Sequence, residues 1–140
     1  MRNHYLAFTD RPIVLLVVRI ALVSAFLVSG VTKAADFAGA TAEVRALSGL
    51  EPTGLWAGLV IAVQLGGSAL VIAGRRTMWI GAALLAGFTM LATIAAHAFW
   101  GRSGIAQIRD LTTFFEHLGL IAGLFLAVVL SERRPEGARS

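Results

Sequence analysis

Six side chains able to do chemistry stand within or beside otherwise apolar stretches: Arg19, Lys33, Gln64, His97, Glu116 and His117. Arg19 and Lys33 are cations that could hold an anion or a carbonyl. Gln64 offers donors and an acceptor from one amide. His97 is of a type that titrates near neutrality, and Glu116 could pair with a cation. The patterns of self-sufficient catalysis are missing: no zinc-protease motif, phosphate loop or nucleophile elbow occurs. The absence of cysteine excludes disulfides, iron–sulfur clusters, thiolate-bound zinc and thiol redox chemistry. His97 and His117 could in principle hold a haem from two helices, but the expected faces diverge and isolated histidines are weak signals. No catalytic or metal-ligating residue is assigned. The ligand-binding candidates are Arg19, Lys33, Gln64, His97 and Glu116.

The elements that position these residues follow from composition. The 140-residue chain suffices for one compact domain. It is 57% hydrophobic and 14% charged, whereas a typical soluble domain is about 25% charged. Only lipid can cover that much apolar surface. Spanning a bilayer core takes roughly 20 mostly apolar residues, and four segments have that length, at about 13–31, 55–74, 78–100 and 113–130. The first, IVLLVVRIALVSAFLVSGV, is too long for the apolar region of a cleaved signal peptide and carries an arginine within it. The expected fold is all-α: an integral membrane four-helix bundle in one domain over 1–140, with 131–140 as a disordered cytoplasmic tail.

The longest connection, 34–54, adds a short amphipathic helix in the first external loop. Phe37, Ala40, Val44 and Leu47 fall at helical spacing opposite Glu43 and Arg45. Pro52 then starts the next helix. A four-span layout places Arg2, Arg11, Arg75, Arg76, Arg133, Arg134 and Arg139 on one side. Lys33, Arg45, Arg102 and Arg109 fall on the other, so both termini are expected in the cytoplasm. The net charge of +4 forms no basic stripe with interleaved aromatics, so nucleic acid is not an expected partner.

Helical spacing and depth then sort the polar residues. Arg19, Phe26, Gly30 and Lys33 are separated by steps of 7, 4 and 3, which align them on one stripe. Gln64 lies near mid-membrane at a depth close to that of Arg19, so a hydrogen bond between them is expected. Gly58, Ala62 and Gly66 form a small-residue stripe suited to close helix packing. In the fourth span, Glu116 shares a face with Gly119, Gly123 and Ala127 and is expected to point inward. His117 shares its face with Ile121, Leu124 and Val128, which reads as lipid-directed. Lys33, His97 and Glu116 then converge at the external mouth, either as a site or as a structural ion pair beside an interfacial histidine.

The stretch RIALVSAFLVSGVTK (Arg19 to Lys33), with its Arg…Phe-x-x-x-Gly-x-x-Lys stripe, resembles the opening of the DoxX family. QLGGSALVIAG around Gln64, His97 closing the third span and the polar start of the fourth follow the same plan over nearly the whole chain. Many members carry an acidic residue where Gln64 stands. The resemblance implies a four-helix protein of the bacterial inner (plasma) membrane. Relatives include a subunit of a thiosulfate:quinone oxidoreductase, partners in membrane redox complexes and, more distantly, a eukaryotic cargo receptor. It further implies an accessory subunit of a redox or stress-response complex, in contact with partner subunits and with quinone, rather than a standalone enzyme. Two alternatives stand beside it: a small-molecule binding or transport module, and a purely structural scaffold. Small-residue faces such as Gly119-x-x-x-Gly123 could also serve a homo-oligomer.

Overall fold

The computed structural model describes residues 12–132, all of whose regular elements are helical. Five helices follow in order: α1 (Pro12–Ala35), α2 (Phe37–Ser48), α3 (Thr53–Ala73), α4 (Met78–Ala96) and α5 (Gly104–Glu132). Short 3-10 turns at Arg75–Thr77 and Phe99–Gly101 join α3 to α4 and α4 to α5. The α1, α3 and α5 helices, together with α4 and its following turn, are long and apolar enough to cross a membrane. In lipid a continuous helix satisfies its own backbone groups, which is why such runs become helices. The residues 1–11 and 133–140, with five arginines of the charge-asymmetry argument and most of the expected tail, lie outside the described residues.

Two boundaries differ from expectation. The α4 helix stops at Ala96 instead of running to 100, so His97 caps it with its N–H on the Thr93 carbonyl, 2.8 Å away. The α5 helix begins at Gly104 instead of 113, because Gly104 takes φ +62° and the mixed-polarity stretch after it stays helical. At 29 residues, α5 is longer than the bilayer core requires. The extra turns carry Asp110 inward.

The α2 helix fills the loop between the first two spans. Asp36 caps it by accepting the Gly39 N–H at 2.9 Å, and Gly49 ends it at φ +65°. Ala40 is buried, Val44 is half-buried, and Phe37 and Leu47 each remain 45% exposed, so only part of the expected apolar face is covered. Arg45 bridges to Glu51 at 3.3 Å and to Thr53 Oγ1 at 3.2 Å, tying the end of α2 to the start of α3.

The tightest packing is between α3 and α4. A Cβ on Gly81 would lie 2.5 Å from the Gly67 carbonyl oxygen, and one on Gly67 would press on the Leu85 side chain. Val71, Met78, Ala82 and Leu85 close this seam, and Val23 and Phe26 from α1 and Leu124 from α5 complete the core. The small-residue contact therefore runs through Gly67 and Gly81, not through Gly58, Ala62 and Gly66. Ala62 and Gly66 are exposed, and a Cβ on Gly58 or Gly66 would meet nothing. One residue along a helix is a turn of about 100°, so with Gly67 against α4, Gly66 faces away. Val17, Val28, Leu59, Leu91 and Phe125 give the outer surface an apolar character suited to lipid.

Candidate functional site

A cavity of about 270 Å³ opens between α1, α2, α3, α4 and α5. Its polar lining is Ser29, Lys33, Glu43, Gln64, Thr89, His97 and His117. Phe26, Phe88 and Leu120 add apolar wall.

Gln64 sits in the middle of α3 and is 3% exposed. Its Nε2 donates to Ser29 Oγ of α1 at 3.0 Å, while its Oε1 has no protein hydrogen-bond partner. A buried amide satisfied on one side is costly unless something else completes it. The expected bond to Arg19 is not formed. Ser29 and Arg19 are ten positions apart on α1, roughly 15 Å along its axis, and the antiparallel pairing sets Gln64 beside Ser29. Arg19 instead lies over Gly74, where any Cβ would overlap its guanidinium. That places a cation at the carboxyl end of α3, where the helix dipole favours one, and outside the cavity lining.

Lys33 projects from the last turn of α1. Its Nζ lies 2.8 Å from Glu43 Oε2 of α2 and 3.4 Å from Ser29 Oγ. The expected Lys33–Glu116 pair is thus replaced by Lys33–Glu43, and Glu116 is exposed. The face assignment on α5 is reversed from the sequence reading. His117, Ile121 and Val128 are half-buried and Leu124 is fully buried, whereas Gly119 is exposed. The bulky positions of α5 thus reach deepest into the core, while of the small-residue face Glu116 and Gly119 are exposed and Gly123 and Ala127 half-buried.

His117 therefore points inward. Its Nδ1 lies 2.6 Å from Thr93 Oγ1 on α4, and its ring meets that of His97 edge to face at 5.5 Å between centroids and 71° between planes. The two imidazoles touch each other instead of flanking a shared haem iron. His97 Nδ1 faces Asp110 Oδ1 at 3.4 Å. Asp110 is 3% exposed and is also approached by Arg102 Nε at 3.5 Å and Arg109 Nε at 3.8 Å. Among the described residues no group of three histidines or carboxylates is placed to hold a metal ion.

Of the five sequence candidates, then, Lys33, Gln64 and His97 line one cavity, and Arg19 and Glu116 do not. Ser29, Glu43, Asp110 and His117 were missed as participants. A signal for two of them exists: Asp110, His117 and Leu124 are spaced by seven, two helical turns, and share one face.

The model of the DoxX family matches residues 14–98, from the first turn of α1 to the residue after His97. The inner membrane protein YphA of Escherichia coli (strain K12) is 27% identical over 121 residues, covering 86% of this chain and 84% of that protein. No solved structure matches the chain.

Proposed function

The chain belongs to the DoxX family, and from that premise we propose that it is a membrane binding module for a small amphipathic molecule, working as an accessory subunit of a redox or stress-response complex. The observation that carries this reading is Gln64: a nearly fully buried amide, on the wall of a cavity, with one end unpartnered. Helix association alone is served by the Gln64–Ser29 bond and gives no account of the remaining oxygen. A polar head completing Gln64, with its apolar body against Phe26, Phe88 and Leu120, accounts for both the hydrogen bonding and the mixed lining.

Quinones and quinols are the redox-active members of that ligand class. The chain's lack of cysteine leaves any electron transfer to a bound molecule or a partner subunit. The name of the relative YphA and the four spanning helices support a place in the bacterial inner membrane, and the arginine distribution supports cytoplasmic termini.

The test is mass spectrometry and absorbance of the protein extracted in native lipid particles. A retained small molecule with a polar head is expected, lost in Gln64→Leu with the fold intact by circular dichroism. Phospholipid as the only companion in both proteins would overturn the reading.

A further inference from the structure

We propose that the cavity is entered sideways from the bilayer, through a gap between α1 and α5, by an amphiphile whose compact polar head lodges inside while its hydrocarbon tail stays in lipid. The proposal rests on the binding reading above and adds the route and the tail.

The gap follows from how the helices are tied. Lys33 with Glu43 joins α1 to α2, Gln64 with Ser29 joins α3 to α1, and His117 with Thr93 joins α5 to α4. Among the described residues no hydrogen bond or ion pair joins α1 to α5, and the two helices barely touch. They do meet below the cavity, where a Cβ on Gly123 would lie 3.4 Å from the Leu22 side chain. One turn nearer α2, on the same face of α5, Gly119 is exposed, and a Cβ there would meet nothing. About one turn beyond Leu22 on α1, Ala25 is likewise exposed and lines the cavity. Small residues thus stand where α1 and α5 part, and two spanning helices that part do so into hydrocarbon.

The end near α2 differs. There the Lys33–Glu43 ion pair, both of whose members line the cavity, holds α1 to α2 at 2.8 Å. A ligand arriving that way has to displace charges, whereas one arriving from lipid parts only apolar surface. Size points to a tail. At about 270 Å³ the cavity is smaller than the roughly 300–1,000 Å³ of sites that enclose a drug-sized molecule. It has room for a head reaching Gln64, whose Oε1 lacks a hydrogen-bond partner, and for a few carbons beside Phe26, Phe88 and Leu120. A longer tail has to leave by the gap.

The experiment is photolabelling of the full chain, washed in detergent until mass spectrometry finds no retained small molecule and then placed in lipid nanodiscs. The probe is hexadecanol carrying a diazirine along its chain, and adducts are mapped by peptide sequencing. Adducts are expected on the cavity residues Phe88, Ala92 and Leu120 as well as on Leu91, which is 72% exposed toward lipid. Gly119→Phe is expected to abolish the cavity adducts and spare those on Leu91. Ala25→Phe blocks the other side of the gap and serves as the second variant if Gly119→Phe does not fold. Cavity adducts of equal yield in the parent and both variants would mean entry past α2 and overturn the proposal. Adducts on Leu91 alone in the parent, as when a helix of a second copy fills the gap, would also overturn it. Neither failure touches the binding reading, which is judged by Gln64-dependent retention in the native extract.

Discussion

The α3–α4 seam and the cavity beside it use the same kinds of residue to opposite ends. Along the seam, the Ser68 hydroxyl folds back onto its own helix, onto the Gln64 carbonyl at 2.6 Å. No buried side-chain atom there is left over among the described residues. Around the cavity, polar side chains reach across helices, Gln64 to Ser29, Lys33 to Glu43, His117 to Thr93 and His97 to Asp110. The two buried side-chain atoms without a hydrogen-bond partner among the described residues, Gln64 Oε1 and Asp110 Oδ2, both belong to this second set. Polar groups that serve only stability can close on themselves; those spanning a gap leave valences that a ligand can fill.

The largest effect is expected at the seam. Gly81→Val would drive its Cβ into the Gly67 carbonyl, a backbone atom that cannot rotate away. We expect a loss of about 3 kcal/mol or more, at the top of the overpacking range, read as a lowered midpoint of unfolding in detergent. Gly66→Ala, on the facing helix α3, is the control. Its Cβ meets nothing, so stability should stay level or rise slightly. Similar losses for both would erase the distinction between a packed seam and a lipid-facing stripe.

Next is Asp110→Ala, which removes the anchor of His97 and the carboxylate facing Arg102 and Arg109. Both arginines are more than half exposed and can be rehydrated, so the expected loss is moderate, about 1–2 kcal/mol. The His97 Nδ1–H resonance should also lose its hydrogen-bonded shift. An unchanged resonance would show that Asp110 acts on the loop and not on the cavity.

Depth and direction were legible in the sequence to different degrees. Helix number follows from apolar length, and the depth of Lys33, Gln64 and His97 from counting residues along each run. The stripe of Phe26, Gly30 and Lys33 was legible too, because α1 has one polar rhythm. Direction on α5 was not. Its small-residue face and its bulky face are both apolar, and which one turns inward depends on the partner surface offered by α4. Asp110 was hidden by a helix start placed at 113, since the Ser-Gly turn and charged residues before it resemble a loop. Register between helices was the other gap: comparable depth suggested Arg19 for Gln64, whereas antiparallel pairing selected Ser29.

Gln64→Leu sharpens the comparison because stability and binding should separate. Losing the Ser29 bond is unfavourable, while removing a half-satisfied buried amide and adding apolar contact is favourable. The net change should stay within about 1 kcal/mol of zero, with retention of the small molecule abolished. A large loss of stability would move Gln64 into the same class as the seam.

The smallest effect is expected at Glu51, where polar closure occurs outside the membrane-spanning segments. Its carboxylate accepts the Thr53 N–H at 3.0 Å, and this bond, aided by Arg45, holds the Glu51 carboxyl below its ordinary value of 4.5. A group whose folded pKa is depressed contributes stability above its unfolded pKa and loses it as pH falls through the folded one. Glu51→Gln should therefore unfold slightly earlier than the parent at neutral pH, and the two should converge as acid titrates the parent's carboxylate. The difference should be small, because Glu51 is fully solvent-exposed and water replaces what the bond supplied. A gap that persists unchanged into acid would mean that the side chain's shape, not its charge, caps α3.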